Sequence, residues 1–379
     1  MRRWVVGVIF NNNGMATWCW EAAHALAAAG DDVTLLALDG VVLPGEPHAA
    51  ITLHRVSPAR RRRGFIDKVI GEFARLSTRP DPVMRPFVTA GQAATANPVL
   101  LLNHSGLVDP ALPARQFVAA WARETRLRDY LSRIPLHVRT GSPLAFVRVV
   151  LDAVGWWRRD WHGYRHATKV LATTERFRAE LTGAGVPAVT VHPCLGVCTS
   201  PPLLPPRPPV RLLSAALNLG EPRKRVAWML DALRDFQARG RDVRLTLVGA
   251  PTPDIERRAE RAGIDVTFTG PLRRDAFLAQ VDAHHALIFA STLDDWGYVV
   301  AEAMSRGRAV VVPDEPPFDE MGAHGAVRFA DHPEAFVAAI DEVIDHVETL
   351  GRAAHRQASR AFSHETFAAA VQEMADDPF

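Results

Sequence analysis

The chain has 379 residues, with 44 basic and 42 acidic side chains and a formal net charge of +2. Of the basic residues 41 are arginine, because the only lysines are Lys68, Lys169 and Lys224. A net charge this close to zero argues against a dedicated nucleic-acid binder, which usually carries a basic excess. The length predicts two or three domains, each large enough to bury a core.

The cysteines and the apolar runs indicate the cellular compartment in which we expect the protein. Cys19, Cys194 and Cys198 cannot form a disulfide framework and match no zinc pattern, which predicts a reduced, cytoplasmic protein. The run WVVGVIF (4–10) is short for a signal peptide and no small-residue cleavage site follows it, so it predicts a first β-strand. No stretch of about 18 apolar residues without charges is present, and we expect no membrane span.

The first half of the chain alternates short β-branched runs with helical patterns. An alanine-rich helix is predicted over 16–30, ending at Gly30. Further strands are predicted at 33–38, 51–56, 99–103, 169–173 and 189–192. Strands that alternate with helices predict βαβ units and a largely parallel sheet.

A proline-rich segment, CTSPPLLPPRPP (198–209), interrupts this alternation. Prolines remove backbone donors and fix φ, so the segment cannot continue a helix or a central strand. We therefore predict an N-terminal domain over 1–200 and a linker over 201–209.

The alternation resumes after the linker. Strands are predicted at 210–214, 243–248, 266–268, 286–290 and 309–312. These elements predict a second domain over 210–355, and residues 356–379 form a predicted C-terminal helix that crosses back to the N-terminal domain. Two α/β domains imply a cleft, and ligands of such sheets bind at the carboxyl ends of the strands.

An acidic block, TLDDWGYVVAEAMSRG (292–307), follows the predicted strand 286–290. Seven residues separate Asp294 from Glu302, which places one carboxylate in a loop near Gly297 and the other in the first turns of a helix. Carboxylates suit sugar hydroxyls, and backbone donors at a helix start suit an anion. The alternative is a solvated acidic loop before an amphipathic helix.

A basic block, NLGEPRKRVAWMLDAL (218–233), follows the predicted strand 210–214. Its cations Arg223, Lys224 and Arg225 stand at a helix start, where they oppose the helix dipole. This placement favours a bound anion such as a diphosphate. The arginines could instead belong to the arginine-rich background, an explanation that fits Lys224 less well because lysine is rare here.

The two blocks, in this order, resemble the retaining nucleotide-sugar glycosyltransferases of the GT-B fold, most closely glycosyltransferase family 4. SAALNLGEPRKRV (214–226) takes the place of the family's phosphate-binding segment. DDWGYVVAEAM (294–304) is similar to its pair of acidic residues, and the stretches 170–197 and 266–291 resemble the segments around them. The resemblance implies an α/β protein with two Rossmann-like β/α/β domains that face each other across a cleft.

The resemblance also implies a role for individual residues. Glu302 would bind the ribose hydroxyls, and Arg223 and Lys224 would neutralise the diphosphate. Asp294 would hold the donor sugar. The other residues implied in donor binding are Asn13, Gly14, Met15, Pro271, Leu272, Trp296, Gly297 and Tyr298.

Three departures from the family's pattern stand out. The family usually has Glu where Asp294 stands, so this carboxylate reaches roughly 1.5 Å less far. Asn218 replaces an arginine, which leaves Arg223 or Arg225 to supply the second cation. Where the family tends to place a histidine near the sugar, this chain has Arg139 and Thr140, candidate acceptor-binding residues, and His104 is the other candidate for that catalytic position.

The resemblance implies a retaining, metal-independent hexosyltransferase with UDP favoured over GDP. Fixed cations would stabilise the departing diphosphate, so no cofactor is expected besides the nucleotide-sugar co-substrate. The expected acceptor is a small molecule of natural-product biosynthesis, such as an antibiotic or aminocyclitol intermediate, and no nucleic-acid partner is expected. The alternatives are a transferase acting on a cell-envelope glycan or lipid, although membrane contact is not favoured, and a non-catalytic nucleotide-binding protein of the same fold.

Overall fold

The computed structural model describes most of the second half of the chain and the sheet strands of the first half. The described residues are 2–9, 14–57, 83–85, 99–103 and 169–376, apart from 184, 198–199, 235, 237–239, 293, 295, 316 and 323–324. The chain divides into two compact units, a first unit of residues 1–195 and 364–379 and a second unit of residues 196–363.

The first unit is built on a parallel sheet of seven strands. Its described elements before residue 195 are β1 (Arg3–Ile9), α1 (Gly14–Ala28), β2 (Asp32–Leu38), β3 (Ile51–Val56), β4 (Val83–Arg85), β5 (Val99–Asn103), β6 (Lys169–Ala172), α2 (Glu175–Gly183) and β7 (Ala188–Thr190). The strand order is β3-β2-β1-β4-β5-β6-β7, and all pairs are parallel. The predicted βαβ organisation is confirmed in these elements.

Helix α1 forms part of the core of this unit. Trp18 and Leu26 are fully buried on it, and Trp4 of β1 is buried as well. Gly30 follows the helix with a φ of 87°, a left-handed conformation that glycine adopts without steric cost. The helix ends at Ala28, two residues before the predicted end, and the predicted role of Gly30 as its cap is confirmed.

The second unit has a parallel sheet of six strands. Its elements are β8 (Val210–Asn218), a short 3₁₀ helix (Pro222–Lys224), α3 (Val226–Ala232), β9 (Val243–Ala250), α4 (Pro253–Ala259), β10 (Asp265–Gly270), α5 (Arg274–Asp282), β11 (Ala286–Ile288), α6 (Tyr298–Ser305), β12 (Ala309–Pro313), α7 (Phe318–Met321), β13 (Ala326–Phe329) and α8 (Pro333–Ala361). The order is β10-β9-β8-β11-β12-β13. This is the strand order of a dinucleotide-binding Rossmann fold.

The strand order reverses between β8 and β11. The chain runs from β8 outward to β9 and β10 and then returns to pair β11 with the other edge of β8. In sheets of this kind, ligands bind outside the carboxyl ends of the strands at such a reversal.

The proline-rich segment predicted as a linker lies within the second unit. Prolines leave carbonyl oxygens that still need donors. The buried guanidinium of Arg308 donates to the carbonyls of Pro202, at 3.1 Å, and Val281, at 3.1 Å. His285 Nε2 lies 2.9 Å from the carbonyl oxygen of Pro205. These contacts hold the segment against the sheet domain that follows it.

The last helix, α9 (His364–Asp376), belongs to the first unit. It packs on α1, where the rings of Trp18 and Phe367 meet edge to face with centroids 6.5 Å apart. Gln372 Nε2 donates to Asp31 Oδ2 at 2.9 Å, and His364 Nε2 lies 2.6 Å from Glu21 Oε2. Among the described helices none is long and apolar enough to cross a membrane.

Candidate functional site

The basic block leaves the carboxyl end of β8 as a loop and a single 3₁₀ turn. Pro222 occupies the first position of that turn, where its missing N–H costs nothing. Arg225 ends the turn with a φ of 53°, and its N–H donates to the carbonyl of Pro222 at 3.1 Å. This closure presents Arg223 and Lys224 at the end of β8.

The acidic block leaves the carboxyl end of β11 beside that turn. The N–H of Thr292 donates to the carbonyl of Arg223 at 2.9 Å. This hydrogen bond joins the loops after β8 and β11 at the point where the strand order reverses. Asp294 follows two residues later, and the chain then enters α6.

Four charged side chains meet there, which we call the charge cluster: Glu221, Arg223, Lys224 and Asp294. Lys224 Nζ lies 2.9 Å from both carboxylate oxygens of Asp294, and Arg223 Nη1 lies 2.9 Å from Oδ1. Arg223 also pairs with Glu221 through its Nε. The side chains of Lys224 and Asp294 each expose 13% of their surface and that of Arg223 exposes 20%.

Burial and charge act in opposite directions on this cluster. Burial alone would raise the pKa of Asp294, but Lys224 and Arg223 outweigh it and hold that pKa below its usual value. Burial lowers the pKa of Lys224, and Asp294 offsets only part of that effect. Burial would also lower the pKa of Arg223, but Asp294 and Glu221 together raise it.

Aromatic side chains pack against the charge cluster. Lys224 Nζ lies 5.2 Å from the ring centroid of Phe289, within the range of a cation–π contact. The ring of Phe289 meets that of Phe318 edge to face at 5.6 Å. Phe318 also lies against Gly297, where a Cβ would come within 2.8 Å of Cε1, so the loop before α6 requires glycine there.

Glu302 forms a second buried ion pair on α6. Its side chain exposes 6% of its surface, and Arg274 Nε donates to Oε1 at 2.9 Å. Arg274 is the first residue of α5, directly after the loop that contains Pro271 and Leu272. The structure thus links that loop to Glu302 through one guanidinium.

The structure distinguishes among the cations of the basic block. Arg223 supplies the second positive charge beside Lys224. Arg225 points elsewhere, because it pairs with Asp331 and its guanidinium lies 4.0 Å from the ring centroid of Trp228. The side-chain oxygen of Asn218, which replaces the family's arginine, accepts a hydrogen bond from the N–H of Gly220 at 2.9 Å.

The remaining predicted site residues fall into three groups. The buried ring of Trp296 meets Phe362 edge to face at 5.1 Å, and Gly297 and Tyr298 lead into α6. Gly14 and Met15 begin α1. Asn13, His104, Arg139 and Thr140 lie outside the described residues.

Sequence reasoning did not single out Glu221 as a partner, Phe289 or Arg274. Glu221 stands two residues before Arg223, a proximity that could have indicated their pairing. No comparable sequence signal distinguishes Arg274 from the other arginines, of which the chain has 41 in all. Phe289 lies within the predicted strand 286–290 and was therefore interpreted as a strand residue. Among the described residues there is no group of three or more His, Cys, Asp or Glu side chains that could hold a metal ion.

A comparison with protein families covers the residues of this site. The sequence model of the family described as "Glycosyl transferases group 1" matches residues 210–346, which include the charge cluster, Arg274 and Glu302. No curated protein sequence matches the chain.

Solved structures resemble the whole chain. Sucrose-phosphate synthase from Thermosynechococcus elongatus is 14% identical with a TM-score of 0.69, over 99% of this chain and 98% of that one. WaaG, a glycosyltransferase involved in lipopolysaccharide biosynthesis, is 14% identical with a TM-score of 0.62, over 98% and 100%. Anabaena HepE in complex with UDP and glucose is also 14% identical with a TM-score of 0.62, over 98% and 100%.

The chain has the GT-B fold. The two parallel sheets and the similarity along nearly the full length of these structures show it. At such low identities the likeness is one of fold, and the expectation of two Rossmann-like domains is confirmed.

Proposed function

We propose that this chain is a retaining, metal-independent glycosyltransferase that moves a sugar from a nucleoside-diphosphate donor, with UDP favoured, to a hydroxyl of a small-molecule acceptor. The observation that carries the proposal is the pair of partly buried cations, Arg223 and Lys224, held at the strand-order reversal of a Rossmann-like sheet. Buried cations there suit a diphosphate. The match of the glycosyltransferase group 1 model to the same residues supports this assignment.

The chemistry follows from where charge develops. As the glycosidic bond of the donor breaks, negative charge builds on the departing diphosphate, and fixed cations in a site of low dielectric stabilise it. Arg223 and Lys224 would supply that positive charge, so the proposed reaction needs no divalent ion or other cofactor. Attack by the acceptor hydroxyl on the face from which the diphosphate leaves, with a diphosphate oxygen taking the proton, would retain configuration.

Four residues of the second unit would bind the donor. Glu302 would accept hydrogen bonds from the ribose hydroxyls, and the backbone of Pro271 and Leu272 would meet the base. Asp294 would contact the donor sugar. UDP is favoured because one similar structure contains UDP and glucose and another is of a UDP-forming trehalose-phosphate synthase.

For binding of the acceptor, Arg139, Thr140 and His104 remain predictions. An antibiotic or aminocyclitol intermediate is the acceptor we favour, with the chain acting in the cytoplasm. A cell-envelope glycan or lipid is the alternative, and the resemblance to WaaG favours it.

The proposal is tested by nucleotide binding. We expect UDP or a UDP-sugar to raise the melting temperature, since a ligand at 100 times its dissociation constant adds about 2.7 kcal/mol to stability. Slow release of UDP from one sugar donor without acceptor would support catalysis over binding alone. The absence of any shift with UDP, GDP and their sugars would overturn the proposal.

Substitutions locate the site. We expect Lys224→Ala and Glu302→Ala each to weaken UDP binding by more than about 1 kcal/mol, because each removes a charged hydrogen-bonding group. Arg225→Ala is the matched control: it removes a cation from the same turn, but one that faces Asp331 and Trp228. Unchanged calorimetric affinity in both test variants would mean that the nucleotide binds elsewhere.

A further inference from the structure

The charge cluster carries no net charge. Arg223 and Lys224 contribute two positive charges, and Glu221 and Asp294 contribute two negative ones. Asp294 contacts both cations at 2.9 Å, and Lys224 Nζ is equally close to its two oxygens. A diphosphate that binds these cations therefore has to share them with this carboxylate or replace it.

Each cation of the cluster also has a contact other than Asp294. Phe289 lies under Lys224, and Glu221 holds the Nε of Arg223, so both cations have a contact independent of Asp294. The carboxylate of Asp294 stands in the loop between β11 and α6. An arriving anion thus meets preorganised positive charge together with one competing negative charge.

That competitor stays ionised throughout the neutral range. Lys224 and Arg223 outweigh the effect of burial and hold the pKa of Asp294 below its usual value. Its ionised form, and the stability that this form contributes, is lost only as the pH falls through that lowered pKa. In the free protein, an arriving anion therefore meets Asp294 in its charged form near pH 7.

We propose that Asp294 makes this site select the intact sugar donor over the free nucleoside diphosphate. The inference rests on the proposed function and adds a specificity role to the same site. The repulsion between the carboxylate and the diphosphate acts on both ligands, but only the donor brings sugar hydroxyls that can hydrogen-bond to the carboxylate. The product of transfer lacks those hydroxyls, so Asp294 weakens its binding and favours its release.

The experiment compares wild type with Asp294→Asn by isothermal titration calorimetry at pH 7.5 and fixed salt. The probes are inorganic pyrophosphate, UDP, and whichever of UDP-glucose, UDP-galactose and UDP-N-acetylglucosamine binds wild type most tightly. We expect wild type to prefer that UDP-sugar to UDP. In Asp294→Asn we expect UDP and pyrophosphate to bind at least tenfold more tightly, with a smaller gain for the UDP-sugar, so that the preference for the sugar falls.

Asp331→Asn is the matched control. It makes the same isosteric change beside the neighbouring cation Arg225, at a side chain that exposes 75% of its surface. We expect its affinities to lie within about twofold of wild type. Asp294→Glu keeps the charge and should keep the preference for the UDP-sugar.

The outcomes separate this inference from the proposed function. Equal or weaker binding of UDP and pyrophosphate by folded Asp294→Asn overturns the inference alone. If that variant does not fold, wild type decides, because a wild type that binds UDP as tightly as every UDP-sugar also overturns it. A wild type that binds no nucleotide overturns the proposed function as well.

Discussion

Arg274 pairs with Glu302, the residue proposed to bind ribose. Arg274 would therefore influence nucleotide binding indirectly, through Glu302. A buried carboxylate is costly unless it is paired and hydrogen-bonded, and Arg274 provides that partner at 2.9 Å. The pairing also fixes the rotamer of Glu302. Arg274 is therefore expected to be a positioning residue for the carboxylate that would bind ribose.

Arg274→Gln should reduce the ability of the protein to distinguish ribose from deoxyribose. The neutral side chain holds Glu302 less well, and a hydrogen bond to a charged group is worth about 1.5–3 kcal/mol. We expect the ratio of affinities for UDP and 2′-deoxy-UDP to fall by about tenfold, measured by calorimetry, while the affinity for pyrophosphate stays unchanged. A merely structural role would weaken all three ligands together.

Arg273→Gln is the control for this substitution. Arg273 stands one residue earlier, and its side chain exposes 69% of its surface. We expect this variant to retain the wild-type ratio, and Arg274→Lys to retain part of it. Loss of discrimination in Arg273→Gln would assign the effect to the charge of the helix start instead of to the contact with Glu302.

At the scale of single residues, a site residue can be recognised from the sequence when its residue type is rare in the chain. Lys224 stands out because only three lysines are present, and the structure places it against Asp294, 70 residues away. Arg274 and the buried Arg308 are hidden by the arginine-rich composition, since nothing local separates a paired arginine from a solvated one. Which of Arg223 and Arg225 faces Asp294 depends on the left-handed conformation of Arg225, which no residue pattern indicates.

Among the elements, β9 sets the position of the loop that carries the cations. Gly249 has a φ of 137°, and a Cβ there would lie 1.7 Å from the carbonyl oxygen of Ala216 in β8. The chain beyond Ala216 leads directly into the loop before Arg223. A close approach of backbone to backbone at this point therefore fixes where β8 ends.

Gly249→Ala is expected to destabilise the second unit by about 3–5 kcal/mol, because it combines overpacking with backbone strain. The free energy of unfolding is measured by urea denaturation. Gly240→Ala is the control: its φ of 70° is also positive, but none of the described residues lies within 4 Å of the added Cβ, so the cost should be about 1–2 kcal/mol. If the two variants lost the same free energy of unfolding, β8 would be able to move away from the added methyl group at no energetic cost.

Element prediction succeeds where the hydrophobic pattern is long. The first five residues of β8, predicted at 210–214, and the helix α1 follow from apolar runs and, for the helix, from Gly30. β4 and β13 were not predicted, because each contains an arginine, Arg85 or Arg328, that breaks the apolar pattern of a buried strand. Their places in the sheets are decided by neighbouring strands that lie far away in sequence.

At the scale of the molecule, the last helix belongs to the first unit although the chain reaches it from the second. The sequence predicts a helix over 356–379, but the apolar face of a helix does not identify the surface on which it packs. Phe367, Val371 and Met374 are buried in the structure, and they would suit any apolar surface. The assignment comes from specific contacts of α9 with α1 and Asp31.

This arrangement predicts that damage to α9 weakens the first unit and spares the second. Phe367 is 2% exposed and packs on Trp18, so Phe367→Ala should cost the first unit about 3–5 kcal/mol through lost burial and a cavity. Hydrogen exchange resolves the two units where a single melting curve cannot. We expect faster exchange in peptides from α1 and β2 and unchanged exchange in peptides from β8 and β12.

Phe336→Ala makes the same change in the other unit. Phe336 is fully buried on α8 within the core of the second unit, so its substitution should reverse the pattern of exchange. If Phe367→Ala accelerated exchange in β8 and β12 as strongly as in α1, the two units would unfold as one cooperative body. In that case the stability of the charge cluster would depend on a helix of the other unit, and the effects of Gly249→Ala would extend to the first unit as well.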